Sequence, residues 1–315
     1  MPPAPTPFKT LFKRFLPWIS TGAVVTYLIW ATSHHGVWKA QLADLIPSHP
    51  VWLIALIFAM PLNWFLESWK WHRLLQRTAA FSQSFREVLI GSSWGFITPN
   101  RTGDVVARVA YLPEDSRAQG TRAFMTGAFA QMWITGFAGT CAWWVVQSNE
   151  PHHLALFSEW SPVIGALLVA TTTLTLVIYL LWRWPARWNR FSVASTVLHS
   201  APVSRMLRME ILALSALRFA VFAVQFFAAL SAWGISLSGL RAWYIPLVYL
   251  GNMIIPSAAL SEMGTREALT LALFQPEPSQ WWATVVAVFA VWLINLGVPA
   301  LAGAALVLRH QNNAR

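Results

Sequence analysis

Residues 85–112 read FREVLIGSSWGFITPNRTGDVVARVAYL, and the fold turns on how this stretch meets a membrane. A short apolar half runs into Pro99. Gly103 follows among Arg101, Asp104 and Arg108, and a second short apolar half ends at Leu112. The 13 uncharged residues from Val88 to Asn100 are too few to cross a hydrocarbon core that takes about 20 residues of helix. Residues 243–274, WYIPLVYLGNMIIPSAALSEMGTREALTLALF, repeat the plan: Pro256 and Gly264 stand beside Glu262, Arg266 and Glu267. Both stretches are predicted to be re-entrant hairpins, two half-helices meeting at a broken tip inside the membrane. A competing reading takes residues 242–261 as one full crossing, since 20 uncharged residues suffice, but Pro246, Gly251, Asn252 and Pro256 weaken a continuous helix.

The surrounding composition requires a membrane. Of 315 residues, 56% are hydrophobic and only 11% charged, where a soluble protein carries roughly 25%. With so few charges the chain cannot cover a water-facing surface. The net charge of +10 is scattered between long uncharged runs rather than gathered into one basic domain, which excludes a nucleic-acid binder. The single cysteine, Cys141, lies in an apolar run, so neither a disulfide framework nor a thiolate metal cluster can form. The adjacent pairs His34-His35 and His152-His153 fall in loops without a carboxylate at ligand spacing, and no metal or other cofactor is expected.

Six crossings are predicted, at residues 15–33, 45–66, 123–149, 160–182, 219–240 and 278–308, the fifth continuing a helix that begins near Met209. The first is expected to remain as an anchor, because no secretory cleavage signature follows it. Lys9, Lys13 and Arg14 precede the first span, and Lys70, Arg73, Arg77, Arg86, Arg117 and Arg122 lie between the second and third. Arg183, Arg187, Arg190, Arg205 and Arg208 follow the fourth, and Arg309 and Arg315 end the chain. The opposite loops hold Lys39 and Arg241, and residues 150–159 hold no Lys or Arg. The positive-inside rule therefore predicts a bacterial-type inner-membrane protein with both termini cytoplasmic. That charge balance survives only if both broken stretches return to the side they came from. The expected fold is a single all-α integral membrane domain over residues 1–315, with six spans and two hairpins. Its halves, about 45–149 and 209–308, are inverted relative to each other. Matched Gly/Pro-interrupted segments in inverted halves are the usual pointer to a transporter's binding site.

Charges at membrane depth are costly and usually face an internal cavity. Candidates are Arg101, Asp104, Arg108, Glu262, Arg266 and Glu267 at the tips, with Glu67, Lys70 and Arg218 on the spans. Two readings stand for any one of them. Asp104 with Arg108, and Glu262 with Arg266, sit four apart on one helical face and can neutralise each other. Alternatively they meet a ligand: half-helix N-termini attract anions, and guanidinium grips phosphate or carboxylate bidentately. A Trp- and Phe-lined cavity suits an amphiphile, so membrane lipids are the expected partners, with an enzyme of lipid or glycan synthesis as a further partner and no nucleic acid. Catalysis is the minority expectation. Glu262, Glu267 and Asp104 offer an unspecific carboxylate set, but no DxD-like motif, Gly-rich nucleotide loop or Ser/His/Asp ordering accompanies it. A membrane-embedded transferase and an accessory subunit remain as rivals to a transporter.

The same residues carry a resemblance. Asn63-Trp64, Glu67 and Lys70-Trp71, then Gly91, residues 96–104 and Arg108, then Ile255-Pro256 and residues 262–267, resemble the lysylphosphatidylglycerol synthase transmembrane-region family. The resemblance spans nearly the whole chain and implies a lipid-translocating or lipid-handling bundle with paired re-entrant hairpins. It also implies that Arg101, Asp104, Arg108, Glu262, Arg266 and Glu267 line a headgroup path. The matched charged breaks, with Arg101, Arg108 and Arg266 at their tips, lead to the expectation that a phosphate-bearing lipid is moved between leaflets. No aminoacyl-transferase domain is read in these residues, so the synthase activity itself is not expected.

Overall fold

A computed structural model describes residues 26, 28–30, 33, 45–76, 80–98, 101–150, 161–181, 203–255 and 259–313. The described residues are 89% helical with no strand, which makes the protein all-α. Among them four helices are long and apolar enough to cross a membrane: α1 (Val51–Leu75), α5 (Ser161–Leu181), α6 (Arg205–Ala232) and the run Pro278–Arg309. That run comprises α9 (Trp281–Trp292), a π-helical turn at Leu293–Gly297 and α10 (Val298–Asn313). Helix α4 (Arg117–Asn149) is longer than any of these, but its Gly, Thr and Gln residues dilute its hydropathy.

The two broken stretches are helix pairs. In the first, α2 (Phe81–Ile97) is followed by α3 (Thr102–Ala110); in the second, α7 (Tyr244–Ile254) is followed by α8 (Ala259–Phe274). At 1.5 Å per residue the longest of the four reaches about 26 Å, short of a hydrocarbon core of about 30 Å. Thr98 stitches the first break. Its hydroxyl accepts from the Gly103 amide at 2.7 Å and donates to the Trp94 carbonyl at 2.9 Å. Gly103 must be glycine, because a Cβ there would collide with that backbone carbonyl. Arg101 caps α3 in the left-handed region, with φ at 55°.

Several expected boundaries move. The second span does not end at Glu67 but runs on to Leu75, where Gln76 closes it in left-handed conformation, so Glu67 and Lys70 are helical residues of α1. The fifth begins at Arg205, where the Ser204 hydroxyl accepts from the Leu207 amide at 3.2 Å, and ends at Ala232 rather than 240. Helix α7 stops at Ile254, so residues 242–261 are not one continuous helix. Gly264 lies inside α8, past its first turn, rather than at the break between the two helices. Pro99, Pro256, His34, His35, His152, His153, most of residues 15–33 and most of the loop 183–208 lie outside the described residues.

Packing crosses between the halves. Helix α1 lies along α6; α2 packs on α10, and α7 packs on α4. Each broken pair thus leans on a long helix of the opposite half. Among the described residues the two larger cores lie around Phe226, Leu230, Val248 and Val288 and around Trp71, Val88, Ala130 and Ile211, with a small third cluster at Leu271 and Trp281. The outward faces stay apolar: Leu167, Leu174 and Leu181 on α5 are about 60% exposed, as lipid-facing residues are.

Candidate functional site

The polar residues converge where α1, α3, α4 and α6 meet. Glu67 on α1 is the hub. Its Oε1 accepts from Arg108 Nη1 at 2.9 Å, and its Oε2 accepts from Arg218 Nη1 at 3.0 Å and Lys70 Nζ at 3.4 Å. Arg108 also grips Asp104 in a fork, Nε to Oδ1 at 2.5 Å and Nη2 to Oδ2 at 3.0 Å. Such bidentate pairs are the strong, geometrically specific kind. Gly91 on α2 leaves the space they occupy, since a Cβ there would overlap both Asp104 and the Arg108 side chain. Trp71 and Phe124 lie within 5.7 Å of the Arg108 guanidinium carbon.

The second pair is built alike. Arg266 Nη2 donates to Glu262 Oε1 at 2.7 Å, Asn252 Nδ2 donates to the same oxygen at 3.3 Å, and the Tyr249 ring lies under the guanidinium. Arg266 Nε and Asn252 Oδ1 are buried without partners among the described residues. Buried polar groups in native proteins are rarely left so, and a ligand or water is the ordinary remedy.

Two cavities open beside these groups. The first, about 510 Å³, is walled by Glu67, Lys70, Arg101, Asp104, Arg108 and Arg218 together with Trp64, Trp71 and Phe124. The second, about 640 Å³, is walled by Arg101, Arg218, Glu262 and Arg266 with Asn252, Tyr249, Phe219 and Phe222. Arg101, Arg218, Trp64, Gln131 and Met132 line both, so the two are neighbours across a shared wall. Cations outnumber carboxylates four to two in the first and three to one in the second. Among the described residues the Arg101 guanidinium has neither an ion-pair nor a hydrogen-bond partner; its backbone amide donates to the Thr98 carbonyl at 3.2 Å. The other cavity arginines, Arg108, Arg218 and Arg266, are each held by a carboxylate.

Of the nine charged candidates, eight line one or both cavities. Glu267 does not. It is 4% exposed, outside both walls, and neither carboxylate oxygen has a partner among the described residues. One residue after Arg266, it points away from the face that Glu262 and Arg266 share, because neighbours along a helix do not face the same way.

A model of the lysylphosphatidylglycerol synthase TM region matches residues 18–303. The chain belongs to that family. No curated protein and no solved structure matches it. As a member of the lysylphosphatidylglycerol synthase TM-region family it is a multi-pass membrane protein whose family suggests a lipid-related function. The matched region holds all nine charged candidates, including the unpaired Arg101.

Sequence reasoning did not place the uncharged polar residues of this family member's interior at the site, although Asn63 carries part of the resemblance and Asn252 reads as a helix-weakening residue. Asn63, Gln131, Gln225, Asn252 and Asn295 all lie among apolar neighbours, as does Tyr249. Asn63, Gln225 and Asn295 are at most 5% exposed. An amide inside a predicted span is itself a signal, since it must find a partner where water is absent. Glu87 is another such residue: buried on α2, it accepts from Trp71 Nε1 at 2.8 Å and so braces the ring beside Arg108.

Proposed function

We propose that this protein translocates a phosphate-bearing lipid between the leaflets of a bacterial-type inner membrane. The chain crosses six times with both termini cytoplasmic. The pairs α2–α3 and α7–α8 re-enter from opposite sides as hairpins of an inverted repeat. The crossed packing supports that arrangement, since exchanging the halves maps α2 on α10 onto α7 on α4 and leaves α1 on α6 unchanged.

One observation carries the substrate reading. Arg101 is an unpaired cation in the wall between two cavities that both have surplus positive charge. An uncompensated charge at depth is costly unless a counterion arrives. A lipid phosphate fits that need, and the aromatic and aliphatic lining suits the glycerol and upper acyl chains. Arg108 is saturated by Asp104 and Glu67, which casts it as an anchor of the hairpin. Arg101, Arg266 through its free Nε, and Arg218 through its remaining Nη2 then hold the headgroup. No lipid bond is made or broken, and the protein acts without a cofactor on phospholipid, aminoacyl-phospholipid or polyprenyl-phosphate-linked lipid.

Mass spectrometry of lipids co-purifying with the parent and with an Arg101→Ala/Arg266→Ala variant tests the reading. One phosphate-bearing class enriched on the parent and lost from the variant is the expected result. Identical bulk lipid on both would instead favour an accessory role beside another enzyme. A covalently altered lipid formed on expression would favour a transferase.

A further inference from the structure

A chain of buried amides runs from the Arg218 guanidinium to the π-helical turn. Arg218 Nε donates to Asn63 Oδ1 at 2.7 Å, and Asn63 Nδ2 donates to Asn295 Oδ1 at 3.2 Å. Asn295 Nδ2 donates to Gln225 Oε1 at 2.6 Å, and Gln225 Nε2 ends the chain on the Leu56 carbonyl at 2.8 Å. Each amide spends its oxygen on one neighbour and a nitrogen proton on the next, so the run has one direction and fixes the orientation of every member. It joins α1, α6 and the turn Leu293–Gly297 at positions up to 232 residues apart.

The π-helical turn explains how Asn295 takes part. A π-turn inserts one extra residue into a helix and re-aims a side chain, and such turns gather at functional sites. Here the turn separates α9, which packs on α6 and α8, from α10, which packs on α2. One side of the turn is thus in contact with the second hairpin and the other side with the first. Asn295 lines the second cavity, 5% exposed, between them. The fork of Arg218 is divided: Nε is committed to Asn63 and Nη1 to Glu67, which leaves Nη2 for the cavity.

We infer that Asn295 and Asn63 are positioning residues for Arg218, holding its free guanidinium nitrogen toward the headgroup phosphate and tying that orientation to the π-turn between the two hairpins. The inference rests on the lipid-phosphate reading above. Asn295 touches no phosphate itself; it acts through Asn63.

A double-mutant cycle tests this, read as binding of acyl-labelled fluorescent phosphatidylglycerol to the purified full chain in detergent, with unfolding temperature measured alongside. Asn295→Leu is expected to weaken binding about tenfold, the loss common when the outer support of a liganding side chain is removed, and Arg218→Gln, which removes that side chain, at least as much. The double variant is expected to bind no worse than Arg218→Gln alone, because the amide chain then has nothing to orient. A merely structural Asn295 lowers the unfolding temperature and multiplies its binding loss onto that of Arg218→Gln, and that outcome overturns the inference while the headgroup reading stands. Arg218→Gln binding as well as the parent overturns both. Asn63→Leu, which removes the direct support of Arg218, is run through the same cycle in case Asn295→Leu does not fold, with the same non-additivity expected.

Discussion

Glu67 and Arg108 lie 41 residues apart on α1 and α3 and meet at 2.9 Å inside the bundle. That contact ties the first helix pair to a long helix, and it is the hub on which Arg218 and Lys70 also converge. Removing the carboxylate leaves three cations facing one another with no shared counter-charge. Glu67→Gln is therefore expected to cost roughly 3 kcal/mol, the usual loss when one member of a buried pair is removed. Chemical unfolding in detergent, followed by tryptophan fluorescence, checks this; an unchanged midpoint would show that water already screens the cluster.

Arg101 predicts the reverse pattern. Its guanidinium has no partner to lose among the described residues, and it sits at φ 55°, a region that costs a non-glycine residue about 1–2 kcal/mol. Arg101→Gly should hold or raise the unfolding temperature while abolishing retention of the native lipid. A variant that loses stability and lipid together would place Arg101 among the structural pairs.

Close approach of α2 and α3 depends on Gly103. A methyl there meets the Trp94 carbonyl, a backbone atom that cannot swing aside, so Gly103→Ala should cost about 1–3 kcal/mol as overpacking does. Gly136→Ala on α4 is the control. Its Cβ would touch the Met253 methyl at 3.8 Å, ordinary contact, and alanine favours the helix, so stability should hold or rise.

Re-entry has a topological signature. In a Cys141→Ser background, Ala80→Cys and Glu114→Cys flank the first helix pair, and Ser238→Cys and Gln275→Cys flank the second; all four sites are exposed. Labelling with a membrane-impermeant maleimide should reach the first two from the cytoplasmic side and the second two from the opposite side. Members of one pair labelling from different sides would make that stretch a full crossing.

The broken stretches were legible because Pro, Gly and charge interrupt runs too short to span, and the structure places helix ends at Ile97 and Ile254. The i,i+4 spacing of Asp104 with Arg108 and of Glu262 with Arg266 likewise announced the pairs that the structure contains. Glu67 was legible only as a charge at depth. Its role as a hub depends on the crossing of α1, α3 and α6, which no local pattern encodes. Glu267 was assigned with its neighbours by proximity in sequence, whereas the 100° step per residue turns it from the shared face. The amides were invisible for another reason. Hydropathy averaging dissolves a single Asn295 or Gln225 in its apolar surroundings, and the π-turn that aims Asn295 inward has no sequence signature here.

Lipid translocation is tested most directly in reconstituted vesicles carrying an acyl-labelled form of the co-purifying lipid, with dithionite quenching only outer-leaflet label. The account predicts that the parent renders the inner-leaflet pool accessible, that Arg101→Ala abolishes this while remaining folded, and that Glu267→Gln retains the lipid at its site. Equal accessibility with parent, Arg101→Ala and protein-free vesicles would contradict it.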